Sequence, residues 1–311
     1  MKRLLAIALC LICLALLVTV ACATGDSSAP TGSIEITDQA GRVVTLDAIP
    51  QRIVSLAPSN TEILFALGLN DSIVGVTDWC DYPLEALEKD SIGDFYPPNI
   101  EAIVAMEPDL VVAANIHKDE YVPQMESLGL KVIVLDPKTV DEVIDAIAIA
   151  GEATGTEDAA SQLAEDMQAR IDDVQSLVSG LSEEEIPRVF YVIWHDPLMT
   201  VGNDTLQDEV IQLAGGQNIF DDLSGYPVVD LETILDRDPQ VIIVGSGHDV
   251  EQDATFQWVQ NEARLRDTEA AREGMIFKID ADLVDRPGPR IVDGIEEMLE
   301  LIHPELAGES Q

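Results

Sequence analysis

The chain has 311 residues, which is enough for two domains of ordinary size. It contains 58 acidic and 17 basic residues, so its formal net charge is −41. Nucleic acids and anionic bilayers select proteins rich in Lys and Arg, so this charge excludes both as expected partners. Apolar residues make up 47% of the chain, which permits a large core. The acidity fits either a high-salt habitat, where salt screens self-repulsion, or an ordinary acidic surface.

The N-terminus has the features of a secretion signal. Lys2 and Arg3 provide positive charge, and residues 4–20 are almost entirely apolar. This run approaches the length of a membrane-spanning helix, so a permanent anchor is the alternative. Small residues around Cys22 favour cleavage instead. We therefore predict a signal peptide over residues 1–21, with Cys22 as the lipid-bearing first residue of the mature protein.

Cysteine usage is consistent with an exported domain that has a single thiol. Cys10 and Cys13 lie in the predicted signal, Cys22 would be acylated at the head of a polar tether over residues 22–32, and Cys80 remains. One thiol forms no internal disulfide, so the mature domain must depend on its core. A lone cysteine usually behaves as a small hydrophobe, and a reactive or metal-binding thiol is the alternative.

An α/β pattern begins after the tether. A Gly-containing turn between two short apolar segments predicts a β-hairpin. Ser59 and Glu62 have the spacing of a capping box, which predicts a helix over residues 63–67. Apolar strands that alternate with helices indicate a parallel sheet covered on both faces. The predicted strands of this part are 34–36, 42–46, 53–56, 73–76, 110–113 and 132–135.

Residues 157–181 interrupt this pattern with apolar residues at spacings of 3 and 4, which predicts one amphipathic helix of about 35 Å. A polar linker follows, and the α/β pattern resumes at residue 188. The predicted fold class is α/β, with two similar Rossmann-like lobes containing parallel sheets, joined by one long rigid α-helix. The predicted divisions are an N-terminal lobe (33–155), an inter-lobe helix (156–182), a C-terminal lobe (183–305) and a tail (306–311).

An internal repeat supports two equivalent lobes. Asn99–His117 reads NIEAIVAMEPDLVVAANIH, and Asp230–His248 reads DLETILDRDPQVIIVGSGH. A constant offset of 131 residues aligns Glu101 with Glu232 without a gap. Each copy predicts a short helix, an acid-Pro break and a buried strand. Two similar α/β lobes on a stiff helix leave one cleft between them, which is a favoured place for a ligand.

Enzyme motifs are absent from the sequence. It contains no G-x-S-x-G elbow, Walker loop or H-E-x-x-H helix, and its four histidines lack metal-ligand spacing. Asp280, Asp282 and Asp285 form an acidic cluster, but this segment lacks the Gly and distal Glu of a calcium loop. We therefore predict no catalytic residue, no resident metal or cofactor, and no enzymatic activity.

Aromatic residues lie where loops would border the predicted cleft. Trp79 and Trp194 come just after apolar strands. Phe95, Tyr96 and Tyr226 lie beside prolines in loops that precede the two repeated helices. Aromatic side chains on such loops present flat apolar faces that suit a large ring-bearing ligand, and core packing is the alternative for each.

Four segments give the chain a family resemblance that spans nearly the whole mature sequence. They resemble the substrate-binding proteins of importers for vitamin B12, haem and iron–siderophores. This resemblance implies a monomeric, rigid two-lobed protein that closes little on binding and delivers its ligand to an ATP-powered permease. The segments are RIVSLAPSNTEILFALGL (52–69), VGVTDWCDYP (74–83), NIEAIVAMEPDLVV (99–112) and DRPGPRIVDGIEEM (285–298).

The resemblance also implies docking residues. In that family one glutamate on each lobe pairs with arginines on the permease dimer, and Glu101 and Glu232 occupy the matching positions. The alternative is that they are ordinary acids of a first helical turn, favoured by the helix dipole. The implied location is the periplasm or the outer face of the cytoplasmic membrane, with a lipid anchor at Cys22.

The segment that contains Trp79 is most similar to the vitamin B12-binding members, which implies a corrinoid ligand. Phe95, Tyr226 and Asp282 match positions where those members contact the corrin ring and its amides, although two tryptophans of the best-known member are Phe95 and Tyr226 here. We add Tyr96, Trp194 and Arg286 to the predicted ligand-binding residues.

Other ligands and roles stay open. Siderophore binders gather arginines for anionic chelates, and Arg286 and Arg290 are the candidates here. Haem binders offer an axial Tyr or His, which Tyr226 or His195 could supply. An extracytoplasmic sensor is a further alternative, as is an enzyme that would have to use Cys80.

Overall fold

The computed structural model describes residues 33–247 and 250–307. The predicted signal peptide, the lipidation residue Cys22, the tether to residue 32, His248 and residues 308–311 of the tail lie outside the described residues. Within the described ranges, no helix is both long enough and apolar enough to cross a membrane.

The N-terminal lobe contains a hairpin and a parallel sheet. Strands β1 (Ile34–Thr37) and β2 (Val43–Leu46) pair antiparallel, which confirms the predicted hairpin. Four further strands form an all-parallel sheet in the order β4-β3-β5-β6. They are β3 (Ile53–Ser55), β4 (Ile73–Gly75), β5 (Leu110–Ala114) and β6 (Val132–Leu135). The helices are α1 (Pro58–Ala66), α2 (Ile100–Ala105), α3 (Tyr121–Ser127) and α4 (Val140–Thr154).

The long helix α5 (Glu157–Val178) follows α4 and spans 22 residues, or about 33 Å. Gly155 lies between the two helices at φ 69°, a left-handed conformation that favours glycine. Met167, Ile171 and Val174 of α5 are buried, which confirms the predicted apolar stripe. The helix ends three residues before the predicted boundary at residue 181.

The C-terminal lobe has its own parallel sheet, in the order β10-β7-β11-β12, and a short antiparallel pair, β8 and β9. The strands are β7 (Arg188–Val192), β8 (Trp194–His195), β9 (Leu198–Met199), β10 (Gln217–Asn218), β11 (Val241–Ser246) and β12 (Ile276–Asp280). The helices are α6 (Leu206–Leu213), α7 (Leu231–Arg237), α8 (Val250–Asn261), α9 (Glu269–Glu273), α10 (Ala281–Asp285), α11 (Ile291–Ile302) and α12 (Pro304–Ala307).

The two parallel sheets have the same topology. If the strands of each sheet are numbered by their order in the chain, both sheets run 2-1-3-4. The strand order reverses between the first and third strands, β3 and β5 in one lobe and β7 and β11 in the other. In open α/β sheets, ligands bind outside the carboxyl ends of strands at such a reversal. The predicted fold class is confirmed, because each lobe is a Rossmann-like unit and α5 lies between them in the chain.

The repeat extends to details of the backbone. Asn99 caps α2 by accepting from the amide three residues on, and Asp230 caps α7 in the same way. Glu107 and Asp238, which are 131 residues apart, both adopt left-handed backbone, at φ 46° and 40°. Non-glycine residues rarely adopt this conformation. Because these two unusual residues are equivalent by the offset of the repeat, the repeated helix ends with the same turn in both lobes.

An arginine at the start of the first strand of each sheet holds that turn. Arg52 donates from Nε to the two carbonyl oxygens that follow α2, each at 3.1 Å. Arg188 does the same for α7, at 3.2 and 3.0 Å. The last carbonyls of a helix have no intrahelical partner, and a cation at this end also complements the helix dipole.

The predicted capping box at Ser59 and Glu62 is wrong. Helix α1 begins at Pro58, one residue before Ser59, and its N-cap Ala57 offers no side-chain hydrogen bond. Proline suits the first helical position because its missing N–H would have no partner there. Glu62 therefore lies inside the helix, and its side chain makes its contacts away from the helix N-terminus.

The capping role of Asp230 is testable. We expect Asp230→Ala to lower the free energy of unfolding by about 1 kcal/mol, because the amide of Thr233 loses its acceptor. Asp236→Ala, at an exposed position of the same helix, removes the same charge and should change it by less than about 0.5 kcal/mol. Chemical denaturation followed by circular dichroism measures both, and equal effects would contradict the capping role.

Candidate functional site

Trp79 lies on the loop after β4 and is 58% exposed. Its indole Nε1 donates to Asp94 Oδ1 at 2.8 Å, and the same oxygen accepts from the amide of Phe95 at 2.7 Å. The indole hydrogen bond holds the pKa of Asp94 below its usual range. A backbone bridge between Val76 and Ser91 joins the two loops. One carboxylate oxygen of Asp94 thus holds the indole of Trp79 and the backbone of Phe95.

Phe95 packs edge-on against His117, with ring centroids 5.2 Å apart. His117 is fully buried; its Nδ1 accepts from the amide of Ala114 at 3.1 Å, so Nε2 carries the proton and donates to the Phe95 carbonyl at 2.8 Å. Burial lowers the pKa of His117, which favours this neutral form. Tyr96 makes an edge-to-face contact with Tyr121 at 5.6 Å and stays 45% exposed.

Tyr226 lies in the equivalent loop of the C-terminal lobe and is 53% exposed. Its hydroxyl is 3.4 Å from Gln207 Oε1 on α6. The loop is held against β9, because Thr200 donates to the Pro227 carbonyl at 3.1 Å and Val229 donates to the Leu198 carbonyl at 2.9 Å. The backbone around Tyr226 is therefore fixed while its ring remains accessible.

Trp194 is half-buried and lies on β8, which pairs with β9. Its indole donates to the Asp196 carbonyl at 2.8 Å, and its ring lies 5.1 Å from that of His195. The His195 ring lies 5.9 Å from Trp258 on α8, and its Nδ1 is 2.9 Å from Thr255 Oγ1. Strand β9 therefore lies between β8, which carries Trp194, and the loop that carries Tyr226.

Arg286, just after α10, connects the two lobes. Its Nη1 lies 2.6 Å from Asp81 of the N-terminal lobe, and its Nε lies 2.9 Å from Asp282 in its own lobe. Nη1 is also 3.5 Å from Glu62. Arg286 and Asp282, both predicted ligand contacts, therefore already bond to each other.

A second ion pair lies beside the first. Arg290 donates twice to Glu62, at 2.7 and 2.8 Å, and its guanidinium lies 4.0 Å from the ring centroid of Tyr82. Glu62 is 3% exposed. A buried carboxylate requires such partners, because the cost of removing it from water is offset only by opposite charge and hydrogen bonds.

Asp285 is an acid whose position the sequence did not identify as part of the binding surface. Gln207 Nε2 donates to its Oδ1 at 2.7 Å. Asp285 is exposed overall, but the protein packed around its carboxyl group raises its pKa to about 6, and the charge of Asp282 acts in the same direction. The sequence feature that could have pointed to Asp285 is its position three residues after Asp282, which places both acids on the same face of a helix. Nothing in the sequence singled out Gln207.

Cys80 is buried, 3.1 Å from Thr61 Oγ1 and 3.2 Å from Thr77 Oγ1. Burial raises the pKa of its thiol, which opposes formation of the reactive thiolate. In the part of the chain that the structure describes, no three His, Cys, Asp or Glu side chains converge on a metal-binding position. The predicted docking residues, Glu101 and Glu232, are both exposed on the first turns of α2 and α7.

We call the surface between the lobes, bordered by these loops after the parallel strands, the cleft. We expect it to combine the exposed aromatic rings of both lobes with carboxylates and with arginines held in ion pairs. Such a surface would suit a solute and would supply no activated nucleophile. The fold and this surface define a two-lobed solute-binding protein.

Comparison with known proteins agrees with this class. Residues 53–283 match the periplasmic binding protein family, and the chain belongs to it. An ABC transporter substrate-binding lipoprotein of Bacillus subtilis, YvrC, is 33% identical over 277 residues, covering 88% of this chain and 86% of the relative. The chain is a solute-binding protein of the ABC-importer class and not an enzyme, as the sequence predicted.

Two solved structures are similar across most of the chain. The periplasmic vitamin B12-binding protein BtuF of Vibrio cholerae has 29% identity and a TM-score of 0.70, covering 85% of this chain and 99% of that one. A protein of Staphylococcus epidermidis, described as a possible iron-binding, periplasmic solute-binding protein, has 28% identity and a TM-score of 0.72, with coverage of 82% and 99%.

The buried pair between the lobes gives a stability prediction. We expect Glu62→Gln to lower the free energy of unfolding by about 3 kcal/mol, because it leaves the half-buried Arg290 without its counter-charge. Asp222→Asn, which breaks the more exposed pair with Arg237, should cost less than about 1 kcal/mol. Urea unfolding at neutral pH measures both. Similar losses of unfolding free energy in the two variants would show that the Glu62 ion pair stabilises the fold no more than an exposed ion pair does.

Proposed function

We propose that this protein captures a corrinoid in the cleft and delivers it to the permease of an ABC importer from the outer side of the cytoplasmic membrane. The observation that carries the proposal is the pairing of exposed aromatic rings with arginines that are already neutralised. Such a surface favours a large, ring-bearing ligand that has amide donors and little negative charge.

The aromatic rings come from both lobes. Trp79 and Tyr96 are exposed in the N-terminal lobe, and Tyr226 is exposed in the C-terminal lobe. Exposed aromatic side chains lose little conformational freedom on binding and cover much apolar area, so they suit the faces of a flat macrocycle. Phe95 and Trp194 are half-buried and would contribute edges beside them.

The charges favour a corrinoid over an anionic chelate. Arg286 is held by Asp81 and Asp282, and Arg290 by Glu62. A ligand that carries carboxylates would have to break these ion pairs and face Asp285 as well. A corrinoid presents amide N–H groups, from which Asp282 can accept hydrogen bonds. Binding of a ferric siderophore or haem is the alternative within the same class, and the similarity to a possible iron-binding protein supports it.

Delivery would follow from export and docking. The proposed signal peptide and the lipid on Cys22 would retain the protein at the membrane surface, as a monomer, within reach of its permease. Glu101 and Glu232 would dock the two lobes on the two permease subunits. An internally duplicated protein suits a two-fold partner, because it offers two equivalent contact points.

Calorimetric titration of the mature domain tests the ligand. We expect cyanocobalamin to bind more tightly than haemin or ferrichrome, and Trp79→Ala to weaken cyanocobalamin binding about 10-fold, or roughly 1.4 kcal/mol, through loss of ring contact. Leu87→Ala removes an exposed apolar side chain from the neighbouring segment and should leave affinity unchanged. Tight binding of haemin or ferrichrome without cyanocobalamin binding would contradict the corrinoid assignment.

Docking is tested separately from binding. We expect the double variant Glu101→Ala/Glu232→Ala to abolish uptake of the ligand in cells that carry the cognate permease, with affinity for the ligand unchanged. The pair Glu165→Ala/Glu184→Ala removes two other exposed acids and should transport normally. Normal uptake by the first pair, or a loss of its affinity, would show that these glutamates do not dock the permease.

A further inference from the structure

A chain of hydrogen bonds runs from the exposed ring of Tyr226 into the C-terminal lobe. The Tyr226 hydroxyl donates to Gln207 Oε1 over a long 3.4 Å, and Gln207 Nε2 donates to Asp285 Oδ1 at 2.7 Å. Gln207 is 5% exposed, so both ends of its amide depend on protein partners. The amide therefore connects an acid of the cleft to an aromatic residue of the cleft.

The direction of this chain depends on the charge of Asp285. An ionised carboxylate only accepts hydrogen bonds, so it must face the amide nitrogen of Gln207. The amide oxygen then faces Tyr226, whose hydroxyl has to donate inwards. The phenol oxygen keeps lone pairs for the cleft, where it can accept from an N–H group of a ligand.

Protonation of Asp285 permits the opposite direction. A protonated carboxyl can donate to the amide oxygen of Gln207, which turns the amide nitrogen toward Tyr226. The Tyr226 oxygen then accepts from within the protein, and its hydrogen is released to the cleft. The exposed phenol changes from an acceptor to a donor without any movement of the backbone.

We infer that Gln207 and Asp285 set the hydrogen-bonding direction of Tyr226, so that the cleft prefers ligands with N–H donors when Asp285 is ionised and loses this preference when Asp285 is protonated. The inference deepens the proposed function and rests on it, because it takes Tyr226 to contact the ligand. Gln207 is a positioning residue here, since it acts through Tyr226.

The groups around Asp285 place this change in an accessible range. Loss of water raises its pKa to about 6; the charges of Asp282 and Asp280 add to this effect, and Gln207 and Arg286 oppose it. The chain of hydrogen bonds from Asp285 through Gln207 to Tyr226, which we call the relay, therefore changes direction at mildly acidic pH. An ordinary aspartate would titrate near pH 4.

Two phenols also interact electrostatically with Asp285, Tyr226 from its loop and Tyr191 from β7. The Tyr191 hydroxyl is buried without a hydrogen-bond partner among the described residues. Gly245 gives it room, since a Cβ there would lie 2.6 Å from the hydroxyl oxygen. Tyr191 and Tyr226 stay protonated throughout this range, because burial raises the pKa of both.

The first test needs no ligand. The Raman Fermi doublet of tyrosine distinguishes a phenol that donates from one that accepts, and subtraction of the Tyr226→Phe spectrum isolates Tyr226. We expect its intensity ratio to change between pH 8 and 4.5 with a midpoint near pH 6. The change should disappear in Asp285→Asn and in Gln207→Met. A ratio that is constant in the wild type, or that still titrates in Asp285→Asn, overturns the inference.

Glu209→Gln is the matched control. Glu209 lies on the same helix as Gln207, its pKa is also raised by burial, and it accepts from the amide of Val140 at 2.8 Å, away from Tyr226. This variant should keep the wild-type midpoint. If the Tyr226 transition disappeared in Glu209→Gln, the titrating acid would be Glu209 and not Asp285, and the inference would be overturned.

The second test uses cyanocobalamin. We expect its affinity to fall about 10-fold between pH 7.5 and 5 in the wild type, and to stay nearly constant in Asp285→Asn and Gln207→Met. A wild-type affinity that does not change with pH overturns the role of the relay in recognition. Absence of cyanocobalamin binding at every pH contradicts the proposed function instead. The Raman result then decides by itself whether Asp285 and Gln207 set the hydrogen-bonding direction of Tyr226.

Discussion

The carboxylate of Glu62 is the point on which the arrangement of the two lobes depends. It lies inside α1, almost without solvent, and accepts from Arg290 while a second arginine, Arg286, lies 3.5 Å away. Arg286 in turn reaches Asp81. Glu62 on α1 and the two arginines that follow α10 therefore fix how the strand-end loops of the two lobes face each other. Removing any one of them would leave a charge without its partner in a poorly hydrated place.

The same ion pairs decide what the cleft can recognise. Arginines that are bound to carboxylates do not attract an anionic ligand, and the remaining polar groups are mostly acceptors. In the proposed function, recognition is then left to exposed rings, such as Trp79 and Tyr226, and to carboxylates such as Asp282. Each ring is oriented by a polar partner behind it: Asp94 for Trp79, and Gln207 for Tyr226. On the proposed function, these polar partners would set the specificity of the aromatic rings.

Much of the fold could be predicted from the sequence, because burial of apolar strands leaves a strong pattern. Strand β6 was predicted with its observed bounds, and the stripe on α5 was predicted at Met167 and Ile171. The prediction failed where two local signals compete. Ser59 and Glu62 have capping-box spacing, yet Pro58 starts the helix earlier, because proline is favoured at a first helical position. That error hid the role of Glu62, since its partners lie 228 residues away.

The sequence by itself determined the duplication, the class of protein and the aromatic residues, since all three leave repeated or adjacent residues in the chain. The offset of 131 residues pairs Glu101 with Glu232 in the sequence alone. Only the tertiary structure decided that Arg286 is neutralised by Asp81, that Asp94 serves both Trp79 and Phe95, and that Gln207 lies between Tyr226 and Asp285. Most of these contacts join residues distant in sequence, and side-chain hydrogen bonds follow no periodic pattern that composition or spacing could reveal.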